Sequence, residues 1–196
     1  MVMRTLVRHF DSWISHRRRI FEFSQEERCI LRAELRRARR DQKLTGIPLT
    51  KGDTFIKFHL WNSHLPVIPA DGADLGWAAE TWSRFKFSLR LLARQIENDP
   101  ALNGTKAICG VSSLFNLHGE DSGARLMQRL GFVVVEKPSP LGRAGEFFEN
   151  LYSWLLLWTY NPASQRSRTL PRWQRTAIWM TTAALYEHFG KNDSER

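Results

Sequence analysis

The stretch TKAICGVSSLFNLHGEDSGARLMQRLGFVVVEKP, Thr105 to Pro138, decides the fold. It begins with an apolar run typical of a strand and passes through a polar turn into a short amphipathic helix that ends at Gly131. A second apolar run opens at Phe132 and predicts another strand. The stretch therefore predicts strand, helix and strand in succession, the pattern of an α/β protein.

Composition bounds the class of protein. A chain of 196 residues, 42% of them hydrophobic, can build one domain with its own core. We expect that domain to span residues 1–190 and residues 191–196 to fray. Cys29 and Cys109 lie in apolar segments, so we expect two buried thiols in a reducing compartment. The sequence lacks a bilayer-length apolar run and a signal-peptide core, which favours a cytoplasmic protein.

The net charge of +9 is concentrated in the flanks of the chain. Residues 1–43 hold twelve Lys or Arg against six Asp or Glu, and residues 137–175 hold six against two. Residues 51–136 are balanced at nine each. Such flanks suit an anionic partner, although a solvated basic surface explains them as well. No nucleic-acid-binding module is recognisable, so we favour an anionic membrane face, such as the inner membrane, over nucleic acid.

The N-terminal segment contains one clear element and one ambiguous element. Apolar residues at helical spacing predict a helix over residues 2–20. Within residues 24–43, Ser24 and Glu27 match a capping box and favour a helix. The alternation of apolar and polar residues from Cys29 to Leu35 favours a strand instead. We choose the strand.

The centre and the C-terminal part are predicted from periodicity. Residues 54–61 alternate, so that Ile56, Phe58 and Leu60 form one apolar face. A long helix over residues 76–98 follows, with one apolar face stepping by four and three residues. A second helix over residues 143–160 is apolar on most sides, which suits either the core or a membrane interface. A short strand and a final helix, ending at Gly190, complete the expected mixed α/β (α+β) domain.

Residues 54–137 resemble the central unit of the GNAT acyltransferases. The shared features are the order strand, loop, long helix, strand, short helix, Leu-Gly-Phe and strand. The resemblance implies a GNAT-like core between an N-terminal extension, residues 1–53, and a helical C-terminal extension, residues 138–190. It also implies that the start of the long helix binds the phosphates of coenzyme A, through Leu75, Gly76, Trp77 and Ala78, and that Asn116, where the family often has an asparagine, contacts the cofactor. Met127 departs from the family, which often has a proton-donating tyrosine there.

A second resemblance is carried by a series of short motifs along nearly the whole chain. They are Gly52-Asp53, His59-Leu60-Trp61-Asn62, Leu130-Gly131-Phe132, Tyr160-Asn161-Pro162, Trp179-Met180-Thr181 and Leu185 to Gly190. In this order they are similar to the bacterial YkoP-like family, a poorly understood group sometimes attached to polysaccharide deacetylase domains. That similarity implies a strand over residues 28–37 and a link to envelope carbohydrate. Trp61 stands where that family's pattern has an acid.

Three residues are candidates for catalysis. His59 and Asn62 lie at the C-terminal end of the predicted strand, where open α/β sheets tend to place ligand sites. A neutral histidine can act as a general base, and Asn62 can orient a carbonyl or hydroxyl. Glu120, after the next strand, is the carboxylate we expect to assist His59. Structural roles explain the same residues: His59 as a half-buried strand residue, Asn62 as a turn former, and Glu120 at a helix start.

His64 raises the question of a metal site with His59. A spacing of five residues places two ligands together on neither a strand nor a helix, and no cysteine or carboxylate is nearby in sequence. We therefore expect no metal.

Two functions remain open from the sequence. We expect an acyl-transfer or acyl/CoA-ligand protein of envelope carbohydrate or lipid metabolism, with coenzyme A or acyl-CoA as cofactor and a small-molecule acyl acceptor. The alternative is a non-catalytic binding module whose basic flanks hold an anionic partner. Met127 favours it, and so does the resemblance itself, because the GNAT signature at the positions of residues 75–78 is richer in glycine and carries a Gln or Arg that this chain lacks. A pocket between the strands at 54–62 and 106–114, splayed apart where His59 points, would favour the enzyme. Strands that pair with each other to their ends would favour the binding module. The oligomeric state is left open.

Overall fold

The computed structural model describes residues 2–44, 46–112, 122–136, 155, 159 and 176–190. The expected helix over 143–160 and the tail 191–196 lie almost wholly outside these residues. The elements in chain order are α1 (Val2–Arg17), β1 (Leu31–Arg37), β2 (Gln42–Leu44), β3 (Ile47–Leu49), β4 (Thr54–Leu60), a 3-10 turn (Asn62–His64), α2 (Leu75–Asn98), β5 (Ala107–Ser112), α3 (Ser122–Arg129), β6 (Val133–Glu136), β7 (Thr176–Thr181) and α4 (Thr182–Phe189).

One mixed sheet organises the domain and confirms the predicted fold class. Its strand order is β1-β4-β5-β7-β6, and β2 and β3 form a separate two-stranded ladder. β4 and β5 are parallel, whereas β1 with β4, β5 with β7 and β6 with β7 are antiparallel. β7 therefore lies between β5 and β6, so a strand from the C-terminal part of the chain completes the central sheet.

The first face of the sheet holds the larger hydrophobic core. The apolar stripe of α2 is buried as predicted, with Phe85, Leu89, Leu92 and Ile96 at 7% exposure or less. It packs on the apolar side of the sheet, together with residues of α3 and α4. The sheet residues in this core include Ile56, Phe58, Ile108, Ile178 and Met180.

The second face of the sheet is partly polar. Near β1 it lies against α1, because Asp11 of α1 contacts Arg32 of β1 at 3.6 Å. Farther along the sheet, Ile47 and Leu49 of the β2–β3 ladder pack with Cys109 and other residues of a smaller apolar cluster. Neither Cys109 nor Cys29 forms a disulfide, and both are buried, as predicted. Every helix in the described part of the chain is too short or too polar to cross a bilayer.

The Leu-Gly-Phe sequence is the C-terminal cap of α3. Gly131 N donates to Gln128 O at 2.9 Å and Phe132 N donates to Met127 O at 3.1 Å, the bond pair of a Schellman motif. Gly131 supplies the left-handed conformation that the motif requires, with φ at 87°. Met127 and Phe132, the two apolar positions of the motif, are both buried. The cap turns the chain from α3 directly into β6.

Segment 24–43 contains the predicted strand. Ser24 Oγ accepts a hydrogen bond from Glu26 N at 3.2 Å, so the side chain closes a local turn instead of capping a helix. β1 follows at Leu31–Arg37. The β2–β3 hairpin was not predicted, because each strand has only three residues and one of them contains Pro48.

Ser88 links α2 to the entry of β1, and its removal should be costly. Its fully buried Oγ accepts from Ile30 N at 2.9 Å and donates to Arg84 O at 2.7 Å. Ser88→Ala leaves the Ile30 N–H buried without a partner, so we expect a loss of about 2 kcal/mol in the free energy of unfolding. Urea denaturation measures this. Ser83→Ala, one turn earlier on a more exposed side, should cost under about 0.5 kcal/mol, and equal losses would contradict the explanation.

Candidate functional site

The end of β4 places His59 against a buried carboxylate. The β1–β4 register pairs Arg32 with His59 and Glu34 with Lys57, so Glu34 and His59 are diagonal neighbours on the second face of the sheet. His59 Nε2 lies 2.9 Å from Glu34 Oε2. Arg36 Nε donates to the other oxygen, Glu34 Oε1, at 2.7 Å. The Glu34 side chain is only 4% exposed, so these two partners hold it in place.

Burial and pairing set the charge of both groups. Burial lowers the pKa of His59 below its ordinary value, and the neighbouring Glu34 only partly opposes this. Burial alone would raise the pKa of Glu34, but the hydrogen bond from His59 and the charge of Arg36 outweigh it and lower the pKa. At neutral pH the pair is therefore a neutral imidazole beside an ionised carboxylate.

This charge state defines what His59 can do chemically. An ionised carboxylate only accepts hydrogen bonds, so the Nε2 atom of His59 must carry the proton and donate to Glu34. The Nδ1 atom then has a free lone pair and can accept a proton from a substrate. A carboxylate that orients a neutral histidine in this way is the usual arrangement of a general base.

Asn62 lies in a different cavity from the Glu34–His59 pair. It lines the polar cleft, a cavity of about 310 Å³ between α1 and the loop after β4 whose walls include Asp11, Ser15, His16, Arg32 and Trp61. The Nε atom of Arg32 is buried there without a hydrogen-bond partner. Asn62 is therefore placed to contact a small polar ligand, but beside Arg32 and not beside the His59–Glu34 bond.

The predicted phosphate site at residues 75–78 is the first turn of α2. Asp74 caps it: Oδ1 accepts from Trp77 N at 2.7 Å. The indole Nε1 of Trp77 donates to Pro66 O at 2.9 Å, and the Leu75 side chain is 90% exposed. A phosphate bound there would have to share or displace an anionic cap. The assignment of Leu75, Gly76, Trp77 and Ala78 to a cofactor stays a prediction.

The remaining predicted residues divide into two groups. Asn116 and Glu120 lie outside the described residues, so their proximity to His59 stays a prediction. Met127 is only 4% exposed and packs in the core, where it has no polar role.

His64 is held apart from His59 by its own contacts. Its ring stacks on Trp61 with centroids 3.6 Å apart, and its Nδ1 atom lies 3.0 Å from Cys29 O. Among the described residues, no group of three or more His, Cys, Asp or Glu side chains could hold a metal ion.

Glu34 is the site residue that sequence reasoning missed. The sequence did contain a signal for Glu34. Arg32, Glu34 and Arg36 lie on one face of β1, and a carboxylate between two arginines on a strand indicates a buried ion pair. Its partner could not be identified from the sequence, since the β1–β4 register that sets Glu34 beside His59 joins residues 25 positions apart.

Comparisons with known proteins identify the family but not the activity. A family model described as the YkoP domain matches residues 1–189. No curated protein and no solved structure matches the chain, so the likeness of residues 54–137 to the GNAT core stays a prediction. The family match covers nearly all of the 196 residues, and the chain belongs to the YkoP domain family.

Proposed function

We propose that the chain binds an acyl-coenzyme A and transfers its acyl group to a small acceptor of envelope carbohydrate or lipid metabolism, in the cytoplasm or at the inner membrane. The observation that carries this proposal is the point at which the pairing of β4 with β5 ends. Their ladder pairs Phe55–Phe58 with Ala107–Gly110 and extends no farther along these two described strands. Beyond it, β4 stays with β1 up to Leu60, and β5 stays with β7 up to Ser112.

Strand edges that are no longer paired with each other suit an extended ligand. Main-chain groups on the facing edges of β4 and β5 are not paired with each other beyond Phe58 and Gly110. Backbone groups near the core need partners, and an extended chain with amides can supply them by adding to a strand edge. The pantetheine arm of coenzyme A carries two such amides. The end of the β4–β5 pairing therefore supports a site for that arm.

His59 supplies the base in this proposal. As an acceptor hydroxyl or amine attacks the thioester carbonyl, His59 Nδ1 takes its proton, while Glu34 holds the ring through Nε2. The carbon–sulfur bond then breaks, and the proton passes from His59 to the departing thiolate or to water. The products are the acylated acceptor and free coenzyme A. Met127 cannot take part in the proton transfer.

One variant and one control test the chemistry. Calorimetric titration with coenzyme A, acetyl-CoA and a long-chain acyl-CoA should give saturable, acyl-dependent binding that survives about 1 M salt, where the Debye length is about 3 Å. His59→Asn should retain binding but lower thiol release from acyl-CoA, with amine and hydroxyl acceptors present, by roughly 10²–10⁴-fold. His64→Asn, whose ring contacts Trp61 and Cys29 instead, should leave the rate unchanged. Absence of acyl-CoA binding would refute the proposal.

The competing function is a non-catalytic binding module. The anionic Asp74 cap on α2 favours it, because that carboxylate occupies a donor that a cofactor phosphate would use. The burial of Met127 favours it too, since no proton donor stands there. Binding of coenzyme A that ignores the acyl group and disappears in high salt would favour this module over the enzyme.

A further inference from the structure

The run Arg17-Arg18-Arg19 has only a partial explanation in helix electrostatics. Arg17 closes the last turn of α1, where a cation complements the helix dipole. Arg19 lies beyond the helix in a tight reversal: Arg19 N donates to His16 O at 3.0 Å and Ile20 N donates to Ser15 O at 2.9 Å. This is the bond pair of a Schellman motif, with Arg19 at its left-handed position.

Arg19 occupies a backbone position that favours glycine. Its φ is 55°, and it is the one non-glycine residue with positive φ among the described residues. The same motif after α3 uses Gly131 at the equivalent position. A side chain in the left-handed region is strained, and such strain tends to persist where a side chain serves a function.

Arg19 projects into a cationic cavity that we call the arginine groove. The groove has a volume of about 440 Å³, and its walls include Arg17, Arg18, Arg19, Arg36, Trp13 and Glu34. Glu34 is its one carboxylate, and that carboxylate already binds Arg36 and His59. The described ion pairs include neither Arg18 nor Arg19. The lining therefore carries an excess of three positive charges.

The donor geometry of the groove selects phosphate among anions. A guanidinium presents a planar fork of N–H donors that matches two phosphate oxygens. Glu34 uses only the Nε donor of Arg36, and a guanidinium has five N–H donors. Arg17 lies over the half-exposed Trp13 ring, with Cζ 5.4 Å from the ring centroid. This contact holds the Arg17 guanidinium at the wall of the groove.

We propose that the arginine groove binds a ligand bearing a phosphomonoester or diphosphate group, with Arg18 and Arg19 as its principal contacts. The groove is large enough for such a group and part of the molecule attached to it. The ligand's source can be a soluble molecule or a lipid headgroup. The groove lies on the second face of the sheet, as the Glu34–His59 pair does, and Glu34 belongs to both. Binding a phosphate there requires no thioester, so it can be tested apart from acyl transfer.

Two titrations distinguish the sources. Inorganic pyrophosphate is titrated calorimetrically into the full chain, and the chain is separately sedimented with phosphatidylcholine vesicles with and without phosphatidic acid. Saturable pyrophosphate binding indicates a soluble ligand. Sedimentation that requires phosphatidic acid, without pyrophosphate binding, indicates a lipid headgroup. Failure of both titrations overturns the proposal, whatever the outcome with acyl-CoA.

Variants distinguish binding in the arginine groove from general attraction to the positive charge of the protein. Arg18→Gln and Arg19→Gly should each weaken binding by roughly ten-fold or more, because each removes a charge-assisted contact. Arg39→Gln with Arg40→Gln removes two exposed cations that do not line the groove and should change binding less than about two-fold. An equal effect in that control overturns the proposal.

Arg19→Gly gives a readout that a structural role would not produce. Glycine relieves the left-handed strain, so the melting temperature should rise by about 2 °C even as binding falls. Retained binding in the stabilised variant, or a fall in the melting temperature, overturns the assignment of Arg19.

Discussion

Gly110→Ala is expected to destabilise the fold by about 3 kcal/mol. A Cβ atom at this position would lie 2.2 Å from Phe58 Cε2 and 2.4 Å from Phe58 Cζ. The Phe58 ring cannot easily move away, because it is buried and packs edge-on against Phe85 at 6.0 Å and Phe132 at 6.2 Å between ring centroids. The strands must shift instead. Urea denaturation should show a lower midpoint with an unchanged slope.

A double-mutant cycle provides the control for this steric explanation. In a Phe58→Leu background the shorter side chain leaves room for the alanine methyl group, so Gly110→Ala should cost much less there. The coupling between the two sites should be about 1–3 kcal/mol. If Gly110→Ala costs the same in both backgrounds, contact with the Phe58 ring is not the cause.

Gly110 also marks the last rung of the β4–β5 ladder, opposite Phe58. Because Gly110 has no side chain, the Phe58 ring can lie against β5 at the point where the pairing of the two strands ends. The glycine therefore permits the packing of Phe58 in the core, and it also lies where the pairing of β4 with β5 ends. Its role could not be predicted from the sequence, because a glycine in a strand signals close approach without naming the neighbour.

The spacing of apolar residues along the chain was sufficient to predict most of the helices and strands. The four-and-three spacing in α2 predicted its buried stripe, including Leu89 and Leu92, because a helix on a sheet has one apolar side. The alternation in β4 predicted Ile56 and Phe58 as buried for the corresponding reason. Pattern failed at the β2–β3 hairpin, since three residues show no period.

The site was only partly predictable, because it depends on register. His59 could be identified from its place at a strand end. Glu34 belongs to a strand whose pairing with β4 is set by the burial of Leu31 and Ala33 opposite Leu60 and Phe58. A slip of one residue would turn Glu34 to the other face. Sequence reasoning predicts Glu120 as the carboxylate for His59, and that stays a prediction, whereas the structure shows a carboxylate beside His59 in β1.

Glu34→Ala is expected to lower the free energy of unfolding by about 3 kcal/mol at neutral pH. Removing one member of a buried ionic cluster leaves the others unpaired, which typically costs about 3–5 kcal/mol. The value should lie at the lower end because the Arg36 side chain is 46% exposed and can be hydrated. Glu34→Gln keeps an acceptor for His59 and should lose only about 1–2 kcal/mol. Urea denaturation of the wild type, Glu34→Gln and Glu34→Ala measures the order of their stabilities.

The dependence on pH gives a sharper test of the same pair. Both pKa values are lowered on folding, so the fold favours the deprotonated form of each group. Stability from such groups is present above their ordinary pKa values and is lost as pH falls through the lowered ones. The wild type should therefore begin to lose stability below about pH 6.5 through His59, and lose more below about pH 4.5 through Glu34.

The advantage of the wild type over Glu34→Gln isolates the carboxylate. It should be constant above about pH 6.5 and should grow as His59 begins to protonate, because Glu34 raises the pKa of His59 and glutamine does not. It should then shrink at more acid pH as Glu34 itself is protonated, because protonated glutamate and glutamine are both neutral and nearly isosteric. Glu27→Gln, an exposed carboxylate outside the described ion pairs, should change stability by less than about 0.5 kcal/mol. An advantage that persists unchanged to acid pH would mean that the ionised Glu34 does not stabilise the fold. The same carboxylate could then not hold His59 as a neutral base, so this measurement bears on the proposed chemistry without requiring a substrate.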